Sequence, residues 1–150
     1  MLCGRVHGNC QTKEIFFSSG STETINTVIR GISKAYRSQG NEMITCSTEH
    51  KAVLSTCAAV AKEGMLIHTL AVDRNGAIDL EDLKHRINQH TVLVCLMAAN
   101  NETGILHPIR EIAQICQEKG VLFFCDASQH IGKLPIDLQE IPIDMLCLTA

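Results

Sequence analysis

Two periods of hydrophobic position alternate along this chain. Short apolar runs read as strands, and stretches with apolar residues three and four apart read as helices. Residues 14–18 (EIFFS) predict a short strand. Residues 23–37 predict a helix with Ile25, Val28, Ile29 and Ile32 on one face. A strand over 42–47 (EMITCS) and a helix over 50–62, stopped by Gly64, come next. Residues 65–72 predict a strand that ends in the turn DRNG. Asp79 opens a short helix with Leu80, Leu83 and Ile87 at helical spacing, and its acidic start suits the positive end of the helix dipole. The run over 91–98 (TVLVCLMA) is apolar throughout, as expected of a strand covered on both faces. Pro108 suits a first helical turn, and that helix runs to Gly120. Residues 121–125 and 143–148 predict two more strands.

Strands alternating with helices imply an α/β fold of three layers, a mostly parallel sheet with helices on both faces. No repeat, low-complexity segment or linker divides residues 1–150, so the chain reads as one unit. The first predicted strand has little before it and the last has no helix after it. The expectation is therefore a domain truncated at both ends.

Composition narrows the classes of function. The chain has 150 residues, 45% of them hydrophobic and 19% charged, which fits a folded domain with a real core. Lys plus Arg is 13 against 16 Asp plus Glu, for a net charge of −3, so there is no basic footprint for nucleic acid. With no Trp and one Tyr, a base-stacking platform is absent as well. The apolar runs are too short for a membrane span, and the start MLCGRVHGNCQ lacks the apolar stretch of a secretion signal. A cytoplasmic setting is expected. Of the eight cysteines, Cys46, Cys95, Cys125 and Cys147 sit in strand-like runs and none forms a CxxC pair. They read as small buried hydrophobes, reduced, with no metal role.

Candidate chemistry gathers where the strands end. In open α/β sheets, ligands bind outside the carboxyl ends of the strands. Polar clusters follow five of the predicted strands: Ser18-Ser19-Gly20-Ser21-Thr22, Thr48-Glu49-His50, Asn100-Asn101-Glu102-Thr103-Gly104, Asp126-Ala127-Ser128-Gln129, and Thr149. Each alone could be a turn or a cap; their convergence on one edge points to a ligand site. A glycine with hydroxyl residues at a helix start can cradle an anion, although ordinary capping explains the same motif. Asp126 ends a buried strand and needs a cationic or hydrogen-bonding partner, such as a protonated ring nitrogen or an arginine. His50 could stack on a ring or simply cap its helix, and the amides Asn101 and Gln129 could be structural.

The segments SSGSTE, STEH, NNETG and FFCDASQHIGKLPID, in this order and at these intervals, resemble the cysteine desulfurases. These are pyridoxal-phosphate enzymes of the class V aminotransferase group, with selenocysteine lyases as close relatives. The resemblance runs from residue 13 to residue 150 and implies the large domain of fold-type I pyridoxal-phosphate enzymes. It implies that Ser21 and Thr22 bind the cofactor phosphate and that His50 stacks on the pyridine ring and assists proton transfer. Asn101 would lie near the ring hydroxyl and the substrate, and Asp126 would partner the pyridinium nitrogen. Gln129 would donate to the ring hydroxyl oxygen, and Thr149 would also hold the phosphate.

The resemblance further implies removal of sulfur from L-cysteine to give L-alanine. The sulfur would pass to an acceptor such as an iron–sulfur cluster scaffold, and the enzyme would be a homodimer. The family's His-Lys pair, whose lysine holds the cofactor covalently, would follow Ala150. The family's sulfur-accepting cysteine loop belongs to a further domain. The expectation is therefore that these 150 residues alone are inactive, with a second copy or a complementing polypeptide as partner. Lys51 is a solvated helix-start lysine in this reading, and Cys57, Cys95 and Cys125 are too enclosed to carry a persulfide. A selenocysteine lyase or another class V aminotransferase-type enzyme, and a non-catalytic fragment or split-gene subunit, remain alternatives.

Overall fold

The computed structural model describes residues 6–7 and 12–149. Its strands are β1 (Val6–His7), β2 (Glu42–Cys46), β3 (Leu66–Leu70), β4 (Thr91–Met97), β5 (Leu122–Asp126), β6 (Ile136–Asp137) and β7 (Met145–Cys147). Its α-helices are α1 (Ser21–Ala35), α2 (Lys51–Lys62), α3 (Leu80–Arg86) and α4 (Ile109–Lys119). The main sheet has five strands in the order β3-β2-β4-β5-β7, every neighbouring pair parallel.

Side-chain alternation along the strands divides the core in two. On one face, Met43, Leu93, Cys95, Phe124 and Cys147 meet Ile25 and Ile29 of α1 and Val53, Cys57 and Val60 of α2. On the other, Ile44, Cys46, Val94, Leu96, Phe123 and Cys125 meet Leu83 of α3 and Ile112, Ala113 and Cys116 of α4. The three-layer, parallel α/β arrangement follows the hydrophobic pattern. β4 is buried at every position because both of its faces are covered. Phe123 and Phe124, adjacent on β5, are both fully buried on opposite faces, each worth about 1.5–3 kcal/mol of transfer free energy.

Helix ends follow local chemistry. His50 caps α2, its Nδ1 accepting from the Ala52 backbone N–H, and Asp79 caps α3 by accepting from Glu81 and Asp82. Gly120 closes α4 in the left-handed region at φ 69°.

The structure corrects one element. Residues 14–18 are not a strand: Thr12–Glu14 is a 3-10 turn, and Phe16 and Phe17 are 87% and 96% exposed. An apolar run makes a strand only where a neighbour can pair with it, and no described strand lies beside this one. A short ladder absent from the sequence reading also appears, β1 beside β6, with Val6 opposite Ile136 and His7 opposite Asp137. Cys3, Cys10 and Ala150 lie outside the described residues.

Candidate active site

The chain turns one way from β2 to β3, then crosses back over β2 to β4 and on to β5 and β7. Right-handed crossovers that reverse direction place their helices on opposite faces. Accordingly α2 covers one face and α3 and α4 the other. Between β2 and β4 the helices diverge and leave a crevice at the carboxyl ends of the strands, the topological switch point.

The backbone shows where the crevice opens. Pairing of β2 with β4 ends at Ile44 opposite Val94, while β4 continues to Met97. The Ala98 N–H donates to the Asp126 carbonyl on the β5 side, so the Met97 N–H points toward β2, where no strand partner remains. The Glu49 carboxyl takes that place, Oε1 accepting from the Met97 N–H at 2.8 Å. A second tie joins the same two loops, Asn100 Nδ2 donating to the Thr48 carbonyl at 2.8 Å. Asn100 Oδ1 meanwhile accepts from the backbone N–H groups of Glu102 and Thr103 and shapes the turn behind Asn101. Glu49 and Asn100 belong to the polar clusters that follow β2 and β4, but the sequence assigns neither a role of its own. The signal for Asn100 was a turn amide after a buried strand, whereas nothing in the sequence marked Glu49 as buried.

Above these ties lies a cleft lined by Ser21, His50, Met97, Ala99, Asn101, Asp126, Ser128, Gln129 and Thr149. Six of the seven sequence candidates share it. Thr22 does not; it lines the adjoining groove between α1 and α2 with Asn26, Arg30, Lys51 and Thr56, and His50 borders both spaces.

Asp126 is the buried acid of the cleft. Its Oδ1 accepts from the Ser128 N–H at 3.0 Å and the Ser128 hydroxyl at 2.6 Å. No Lys, Arg or His pairs with it among the described residues. The start of α1 forms the other wall. Gly20 precedes the helix without a side-chain cap, and its carbonyl accepts from the Glu23 and Thr24 N–H groups. The Glu23 carboxylate turns back onto the Ser19 N–H and hydroxyl, which hold it below the usual carboxylate range. Cys147 at the end of β7 sits against the Ser21 carbonyl, Sγ 4.0 Å away, and burial pushes its thiol up to about 11.

The exposed amide of Gln129 accepts from Lys133 Nζ at 3.1 Å through Oε1. His50 is exposed, and because Nδ1 accepts the Ala52 N–H at 3.2 Å, the proton of the neutral ring is assigned to Nε2. Burial, above all, raises the Glu49 carboxyl to about 8, with the Asp126 carboxylate raising it further against the lowering effect of the Met97 N–H.

This arrangement of parallel strands and cleft is that of a class of proteins already well populated. Residues 6–150 match the family model described as aminotransferase class-V, and the chain belongs to that family. Within it the likeness is to the cysteine desulfurases. The cysteine desulfurase IscS of Histophilus somni (strain 2336) is 45% identical over 139 residues, 93% of this chain and 34% of that protein. A solved NifS-like protein superposes with a TM-score of 0.89 at 34% identity, covering 93% of this chain and 39% of its own. SspA, solved in complex with cysteine, gives a TM-score of 0.89 at 33% identity over 93% of this chain and 40% of its own. The chain thus spans about a third of the length of the curated relatives it matches.

Proposed function

We propose that this chain forms the pyridoxal-phosphate-holding part of a cysteine desulfurase that acts on L-cysteine and passes its sulfur to an acceptor. The observation that carries the reading is the cleft at the switch point, with buried, cation-free Asp126 at one end and the open start of α1 at the other. Those two features suit the two ends of this cofactor. A carboxylate without a cationic partner fits a protonated ring nitrogen, and uncapped helix N–H groups fit a phosphate.

The protein's part is binding, orientation and control of protons. Asp126, held by Ser128, would keep a proton on the ring nitrogen. Ser21 and the first N–H groups of α1 would bind the phosphate, with Thr22 and Thr149 at its border. The His50 ring would cover one face of the pyridine, and Asn101 and Gln129 would orient its hydroxyl side. Met97 and Ala99 would exclude water from the floor. When bound, the cofactor supplies an electron sink for the carbon skeleton of the substrate. A homodimer or complementing polypeptide, an iron–sulfur scaffold as acceptor and a reducing, cytoplasmic setting complete the proposal. No helix among the described residues is long and apolar enough to cross a membrane.

Equilibrium dialysis of the chain with pyridoxal phosphate tests this reading. Saturable binding at one site is expected, weakened in Asp126→Asn by roughly ten- to a hundredfold. That factor corresponds to losing a charged hydrogen bond of about 1.5–3 kcal/mol. Failure to bind, or binding indifferent to Asp126, overturns it.

A further inference from the structure

We propose that Glu49 is a positioning residue, a neutral carboxyl group that bridges the gap where β2 and β4 part and so holds His50 at the cleft. Four observations converge on it. The side chain is buried, with 5% of its surface exposed, one residue before His50. Its Oε1 accepts from the Met97 backbone N–H, beyond the point where β4 loses its pairing with β2. Its Oε2 is buried with no hydrogen-bond partner. No cation pairs with it among the described residues, and the titratable groups that interact with it electrostatically are a carboxylate and thiols: Asp126 and Cys125 on β5, Cys95 on β4 and Cys57 on α2.

An ionised carboxylate in that position would carry an unpaired buried charge facing a second one, a far greater cost than leaving one neutral oxygen unsatisfied. The protonated acid keeps the acceptor that Met97 needs and removes the repulsion from Asp126. A carboxylate in place of an acid would push Asp126 and the β2 loop apart, and the next residue along that loop is the His50 cap of α2. The bridge is therefore the means by which the end of β4 fixes the ring that borders the cleft. The role toward the cofactor rests on the function proposed above; the proton and the bridge do not.

The sign of the pH effect follows. Burial raises the folded-state value to about 8 from an ordinary 4.5. The folded chain then binds the proton more tightly than the unfolded chain. Stability is fully present below the ordinary value and falls as pH rises through the folded one, by up to about tenfold in the folding constant per pH unit.

Three readouts on the chain with Glu49→Gln and Glu49→Ala test the proposal. Infrared difference spectra at neutral pH should show the carbonyl stretch of a buried protonated carboxyl in the native chain and not in Glu49→Gln. Urea unfolding across the same pH range should lose that slope in Glu49→Gln. The His50 imidazole resonances should stay near native in Glu49→Gln and shift or broaden in Glu49→Ala. Where Glu49→Ala fails to fold, the first two readouts still decide. A carboxylate band in place of the acid band, an unchanged pH slope in Glu49→Gln, or His50 indifferent to Glu49→Ala overturns the inference. All three are read without cofactor, so an inability to bind pyridoxal phosphate counts against the proposed function alone.

Discussion

His50 does two jobs that a sequence cannot separate and a mutation can. Its Nδ1 caps α2, and its ring borders the cleft. Asn is a good cap but offers no aromatic face, so His50→Asn should keep native stability while weakening pyridoxal-phosphate binding. His50→Ala should lose both, with a capping cost of about 1 kcal/mol in urea unfolding. Equal stability loss in the two variants would remove the cap from the account. The thiols give a second expectation at this scale. Cys46, Cys57, Cys95, Cys116, Cys125 and Cys147 are all free and buried. Burial pushes Cys57 and Cys116 up to about 12 and raises Cys95 and Cys125 as well. A raised thiol stays protonated through neutral pH and forms the reactive thiolate only near its elevated value. Alkylation mapped by mass spectrometry on the native chain should therefore spare these five thiols, Cys147 included, and burial alone should shield Cys46. Denaturant alone, without reductant, should open all eight cysteines of the chain to the reagent. The polar residues after each apolar run were legible because strand ends carry their ligands in such sheets. Glu49 was not, since a carboxylate's burial depends on where two distant strands separate.

Elements were legible wherever the pattern was long or covered on both sides. The fully apolar run of β4 and the isoleucine stripe of α1 became what their periods predict. The run EIFFS did not, because five apolar-rich residues carry no information about whether a partner strand exists. The β1–β6 ladder escaped notice for the converse reason: two residues per strand are too few to show a period. One tight contact at the amino-terminal end of β2 and β4 was equally invisible. A Cβ on Gly40 would overlap the backbone carbonyl of His90, which accepts the Glu42 N–H at the start of β2. Backbone cannot rotate aside as a side chain can. Gly40→Ala should therefore lower stability by about 1–3 kcal/mol, read as a lower urea midpoint with an unchanged slope. This end of the sheet lies opposite the cleft, so the folded fraction of Gly40→Ala should bind pyridoxal phosphate as the native chain does.

For the whole molecule, the strand order β3-β2-β4-β5-β7 decides where chemistry can occur, and alternation of strands and helices leaves that order open. Only once β4 is known to return beside β2 does the crevice fall between His50 and Asn101, with Asp126 one strand further on. The same order determines which amines can reach a bound aldehyde. All seven lysines of the chain lie among the described residues, and none lines the cleft that holds Asp126. Lys133 is turned to the Gln129 amide, and Lys51 borders the groove on the far side of His50. A lysine captures an aldehyde efficiently only when held within reach and orientation of it. The 150-residue chain should therefore bind pyridoxal phosphate without a covalent bond. After incubation and borohydride reduction, intact-mass analysis should show scattered, substoichiometric addition, and no alanine should be released from cysteine. A single stoichiometric adduct, at Lys51 above all, would mean that the groove between α1 and α2 holds the aldehyde end. The cofactor would then lie across His50, reversed from the orientation in which Asp126 meets its ring nitrogen.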